Sequence, residues 1–246
     1  MGNWSQITVA GHPCDVFEPS SPNDHGDVVI YLHGVHLEQL VDKPEFSDRF
    51  ERHGLLVVAP HTQRSWWADR ICPEFDPDIT AERHVLDNVL PYIKDRWGTG
   101  PPQIALLGTS MGGQGALRFA FKHPDTFPIV AALSPAIDYQ SRWNDGDETV
   151  RQMYQDAEAV RQDTATLCIH PLYWPRNTWF ACDPEDARWH ESAERLRMKM
   201  AALGVPHQCD LETEGGGHGF DYYSMMAGAA IDFVVTSLDR ERRRIT

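Results

Sequence analysis

The chain is 246 residues long, carries a formal net charge of −14 and is 41% apolar. That charge disfavours phosphate-rich partners, since a nucleic acid or an anionic membrane surface would be repelled. The length suits one α/β domain over residues 1–246, with a core large enough to need no disulfide or metal staple.

At the N-terminus no basic stretch leads into an apolar one, so no secretory signal is read there. No apolar run anywhere approaches membrane-spanning length. The first two strand candidates, residues 4–9 and 13–18, alternate apolar and polar side chains. Gly11 between them supplies the turn of an antiparallel hairpin. The next runs, at 28–32, 55–59, 104–107 and 129–133, are continuous and rich in branched residues. Such runs mark strands buried on both faces of a parallel sheet. A loop-like stretch at 61–78 carries Trp66 and Trp67 among several acids. Residues 80–97 predict a helix, with Val85, Leu86, Val89, Leu90 and Ile93 at helical spacing. Residues 111–122 predict a second.

The longest interruption, 137–177, holds Tyr139, Trp143, Tyr173 and Trp174 around a polar helical segment at 147–161. Strand 178–182, helix 186–203 ending before Gly204, strand 208–212 and helix 221–238 complete the chain. The expected architecture is an eight-stranded, mostly parallel, doubly wound sheet with helices on both faces and an insertion after strand 6. The five cysteines, Cys14, Cys72, Cys168, Cys182 and Cys209, are widely spaced and include no CxxC pair. Reduced thiols in a cytoplasmic protein are the expectation.

The sharpest chemical signal is Gly108-Thr109-Ser110-Met111-Gly112, directly after a buried strand and opening a helix. A GxSxG in that setting is a nucleophile elbow: the serine sits on a tight turn where strand and helix nearly touch, and the glycines leave room for it. A serine hydroxyl needs a base. Of the 12 histidines, His218 sits in Gly215-Gly216-Gly217-His218-Gly219, between the last strand and the last helix. An acid should orient the imidazole. Asp183, directly after a strand, is the leading candidate; Glu185, Asp186 and Asp138 are alternatives, with Asp186 also suited to a helix cap. The N–H groups of Met111 and, after the His33-Gly34 turn, Val35 are candidates for an oxyanion hole. His33 is read as supporting that turn. Trp66, Trp67, Trp143, Tyr173 and Trp174 are candidates for the walls of an aromatic substrate pocket. The His33-x-x-His36 pair lies on a loop and specifies no metal, and no cofactor is implied.

The strings GTSMGGQGAL, YLHG and GGGHGFDYY resemble the α/β-hydrolase superfamily, most closely the esterases grouped with esterase D, S-formylglutathione hydrolase and feruloyl esterases. The resemblance runs from Val28 to Leu238. It implies hydrolysis of carboxylic esters or thioesters through an acyl-serine, with Ser110, Asp183 and His218 as a triad. It also implies a small-molecule ester substrate rather than a nucleic acid or membrane. Two departures stand out: Gly219 follows His218, where related enzymes often carry Ser or Asp, and the 137–177 insertion has no recognisable motif and is expected to form part of the substrate pocket. The rival readings are acyl transfer by the same triad and a non-catalytic binding protein on this fold. The sequence leaves a homo-oligomer open.

Overall fold

The branched apolar runs assemble where their two-sided burial demands it, in the middle of a sheet. The computed structural model describes residues 2–245; Met1 and Thr246, the ends of the expected domain, lie outside the described residues. Strands β1 (Asn3–Val9) and β2 (His12–Glu18) form the antiparallel hairpin, with Ala10 and Gly11 both in the left-handed region at its turn. β2 pairs antiparallel with β4 (Leu56–Pro60). From there every pairing is parallel: β4 with β3 (Val28–Leu32), β3 with β5 (Ile104–Thr109), then β6 (Ile129–Leu133), β7 (Asn177–Ala181) and β8 (Gln208–Asp210). The sheet order is β1-β2-β4-β3-β5-β6-β7-β8. Strands β3 to β7 are buried throughout.

Each face of the sheet has its own apolar core. One face is covered by α4 (Met111–Lys122), α9 (His190–Leu203) and the 81–97 helical stretch. The other is covered by α1 (Pro44–His53) and α10 (Phe220–Ile245). The expected 80–97 helix is continuous but not regular. It runs as α2 (Ala81–His84), a π turn over Val85–Val89, and α3 (Leu90–Trp97). Pro91 explains the widening: it lacks an N–H and crowds the carbonyl one turn before it, and a π turn relieves both. Helix α9 begins four residues later than expected, because residues 183–189 are taken up by a turn that matters below.

The insertion is four short helices, α5 (Gln140–Asn144), α6 (Glu148–Met153), α7 (Ala157–Gln162) and α8 (Ala165–Cys168). The single helical segment expected at 147–161 is broken after Met153. Asp147 caps the first piece, accepting from the Val150 N–H at 3.1 Å, and Asp156 restarts the second, accepting from the Ala159 N–H at 2.7 Å. Buried Arg118 on α4 fastens the insertion to the core. Its guanidinium bonds Asp163 on one side and Glu82 on the other. Pairing with two carboxylates offsets the cost of burying that charge.

Candidate active site

Strand β5 delivers Ser110 to the head of α4 through a turn with no room for a side chain two residues before or two residues after it. Ser110 adopts φ 54°, ψ −117°, a left-handed conformation costly for a serine. A Cβ on Gly108 would lie 2.1 Å from the Gly112 carbonyl oxygen, and one on Gly112 would lie 1.8 Å from that of Leu32. Both glycines are therefore required by contact between backbones. The Ser110 N–H donates to Leu133 O at 2.9 Å, and its carbonyl accepts from Ala136 N–H at 3.0 Å. These bonds hold the strained residue against the end of β6.

The loop between β8 and α10 brings His218 to the serine. Ser110 Oγ and His218 Nε2 are 2.8 Å apart, and His218 Nδ1 lies 2.6 Å from Asp186 Oδ2. With a carboxylate at Nδ1, that nitrogen carries the proton and donates it, leaving Nε2 to accept from the serine hydroxyl.

The residue contacting the imidazole is thus Asp186, not Asp183, the leading candidate from sequence. A turn closed by Asp186 N–H to Asp183 O, 3.0 Å, carries the chain back toward His218. Asp186 serves two masters: Oδ2 meets the imidazole, while Oδ1 accepts from the Trp189 N–H at 3.2 Å, just before α9. The cap-like position that argued against it in the sequence is real, but it uses the other oxygen. Asp183 is fully buried and holds the histidine loop instead. Its Oδ2 accepts from the N–H groups of Gly215 and Gly217, both at 2.7 Å, and its Oδ1 from Glu185 N–H at 2.8 Å. Burial works to raise its pKa. The Glu185, Gly217 and Gly215 donors outweigh that and hold the carboxyl below its ordinary value. Glu185 supplies only that backbone N–H to the arrangement. Asp138 is engaged elsewhere, in an ion pair with Arg195.

Met111 is the first residue of α4, so its N–H has no acceptor within the helix. Across from it the turn after β3 brings Gly34 so close that a Cβ there would lie 3.3 Å from Ser110 Cβ. Val35 lines the space above the serine. His33 is buried and burial pushes its pKa down to about 4, so it is neutral at physiological pH. Its Nδ1–H donates to Gly34 O at 2.9 Å and its Nε2 accepts from the Thr62 N–H at 3.2 Å. Both ring nitrogens are spent on holding the turn.

The cavity over Ser110 is small, about 70 Å³, and is walled by Val35, His36, Glu38, Phe220 and Tyr223 with His218. None of the five aromatic residues expected as pocket walls is among its lining residues. Trp66 and Trp67 are buried in the core. Trp143 and Trp174 pack against that core, half-buried. Tyr173 is exposed and its hydroxyl donates to Asp125 at 2.6 Å. Nor does any residue of the 137–177 insertion line this cavity. The insertion borders a separate open groove of about 650 Å³, between α5 and the start of α9. Phe220 and Tyr223 were missed in the sequence because they sit in a helix with an apolar face; their proximity to His218 in the chain was the available signal.

A family model described as "Putative esterase" matches residues 6–220. The chain belongs to this esterase family. Over 116 residues the chain is 25% identical to the S-formylglutathione hydrolase of Bos taurus, a stretch covering 40% of this chain and 41% of the bovine protein. The fold is shared more widely. A ferulic acid esterase superposes with a TM-score of 0.76 at 18% identity, over 97% of this chain and 98% of its own. An S-formylglutathione hydrolase from Agrobacterium tumefaciens gives a TM-score of 0.76 at 17% identity, over 96% and 94%. The fold matches the α/β-hydrolase architecture expected from the sequence, and the family assignment agrees with the esterase resemblance. No helix among the described residues is long and apolar enough to cross a membrane.

Proposed function

We propose that this esterase hydrolyses esters or thioesters of short acyl groups through an acyl-serine intermediate, with Ser110, His218 and Asp186 as its triad. The observation that carries the reading is the unbroken relay from Ser110 Oγ to His218 Nε2, 2.8 Å, and from His218 Nδ1 to Asp186, 2.6 Å. His218 takes the serine proton as Oγ attacks the carbonyl carbon. The N–H groups of Met111 and Val35 stabilise the oxyanion that forms. Collapse expels the alcohol or thiol, protonated by His218, and water then repeats the sequence on the acyl-enzyme. Asp186 keeps the imidazole in the tautomer that accepts from serine and stabilises the imidazolium.

The size of the cavity supports the acyl assignment. At about 70 Å³ it accommodates a few heavy atoms, far less than the several hundred Å³ typical of pockets for larger ligands. Formyl to propionyl groups fit such a space and an arylpropenoyl group does not. The test combines a fluorophosphonate probe with p-nitrophenyl esters from acetate to octanoate. The probe is expected to label Ser110, and kcat/KM to fall at least about tenfold from acetate to octanoate. A folded protein whose Ser110 takes no label would overturn the hydrolase reading; octanoate turned over as fast as acetate would overturn the short-acyl one.

A further inference from the structure

Trp66 and Trp67 do not touch the cavity, yet both adopt left-handed backbone conformations, with φ of 52° and 53°. For bulky residues this is strained, and two in succession persist only where their surroundings hold them. The surroundings of Trp67 explain the geometry. Its Nε1–H donates to the carbonyl oxygen of His33 at 3.1 Å, and its ring packs on the His33 imidazole with centroids 5.0 Å apart. A Cβ on Gly115 would lie 2.4 Å from Trp67 Cβ, so the indole is pressed against the helix that begins at Met111. The same loop reaches His33 a second time through the Thr62 N–H. Ser65 locks the loop on itself: its hydroxyl donates to Thr62 Oγ1 at 2.9 Å and accepts from the Trp67 N–H at 3.2 Å.

We infer that Trp67 is a positioning residue for the oxyanion hole: it fixes the His33–Val35 turn relative to the head of α4, and so sets the spacing between the two N–H donors. The inference rests on the acyl-serine reading above. Each donor sits on a different segment, Val35 after β3 and Met111 on α4. Trp67 is in contact with both segments, by a hydrogen bond to one and close packing against the other. Catalysis through an oxyanion hole depends on donors held in advance at the right separation, and small displacements are costly. The strained conformation carries a side chain of the 61–78 stretch into contact with both.

Trp66 provides the control. It is equally buried and has nearly the same φ, but its ring stacks on Tyr139 of the insertion, with centroids 4.4 Å apart. The experiment compares Trp67→Phe with Trp66→Phe, measuring kcat and KM on p-nitrophenyl acetate beside thermal unfolding. Trp67→Phe keeps a wedge against Gly115 and loses the indole donor. It is expected to lower kcat at least about tenfold with KM within about twofold of wild type. Trp66→Phe is expected to lower the melting temperature comparably while leaving kcat within about twofold. Wild-type kcat in Trp67→Phe, or an equal kcat loss in both variants, would overturn the inference. Should Trp67→Phe not fold, Gly115→Ala displaces the same indole from the helix side and is read the same way. A wild-type enzyme that neither turns over the acetate nor takes the fluorophosphonate would instead sink the functional reading itself.

Discussion

The nucleophile elbow and the acid loop both present one side chain to His218, but they do so by opposite means. At the elbow, residues 108–113, position is enforced by backbone touching backbone. Gly108 and Gly112 face carbonyl groups at distances where no Cβ fits, and Ser110 has a single place to be. In the acid loop, residues 182–189, position is a matter of which carboxylate reaches which donor. Asp183 and Asp186 are both buried, lie three residues apart and both face the histidine loop. One bonds the imidazole and the other the backbone that carries it. Steric exclusion leaves one solution, whereas competition among hydrogen-bond acceptors leaves several, settled by the shape of the turn.

The largest effect should come from filling the elbow. Gly112→Ala places a methyl against the Leu32 and His33 carbonyls, which belong to rigid backbone. It should cost at least about 4 kcal/mol or prevent folding, as read by denaturant titration; an unperturbed Gly112→Ala protein would break the steric side of the comparison. Ser110→Ala should abolish ester turnover while leaving stability within about 2 kcal/mol of wild type. Retained turnover would move the nucleophile elsewhere.

On the acid loop, Asp186→Asn should lower kcat about 10³–10⁴-fold, because the amide no longer holds the imidazole as a proton acceptor toward serine. Asp183→Asn should cost only about tenfold in kcat. It should also cost about 1.5–3 kcal/mol in stability, since a charged acceptor of three backbone N–H groups is weakened. Reversal of those two activity losses would restore Asp183 as the acid.

The last prediction concerns pH and touches neither loop by mutation. His33 in the turn after β3 and His84 on α2 are buried, and burial pushes each down to about 4. In the unfolded chain they titrate near 6.5. As pH falls below about 6.5 the unfolded state takes up these protons first, so stability is lost progressively down to about 4 and no further below it. Each group contributes up to about 3 kcal/mol to that loss. Urea midpoints at pH 7, 5.5 and 4 should decline in that order, and a constant midpoint would remove the two histidines from the account.

What was legible in the sequence follows the same division. The buried strand runs, the hairpin, the elbow and the Gly-flanked His218 depend on local chemistry: branched residues for two-sided burial, glycines for close approach and turns. Each was readable because the physical demand and the residue meeting it are neighbours in the chain. The π turn before Pro91 and the broken 147–161 segment also had local causes, a missing N–H and the second helix cap at Asp156. The aromatic residues were misplaced for a different reason. Trp66 and Trp67 look like pocket walls beside an acidic loop, but a large apolar side chain gains as much by filling a core as by lining a cleft.

The sequence by itself determined the buried strands, the glycine-flanked turn of Ser110 and the glycine-flanked loop of His218, because backbone sterics and hydrophobic burial act over a few residues. Only the tertiary structure decided which aspartate meets His218, how little room lies above Ser110, and that Trp67 contacts both the turn after β3 and helix α4. Those depend on distances between segments dozens of residues apart, and no local pattern encodes such a distance.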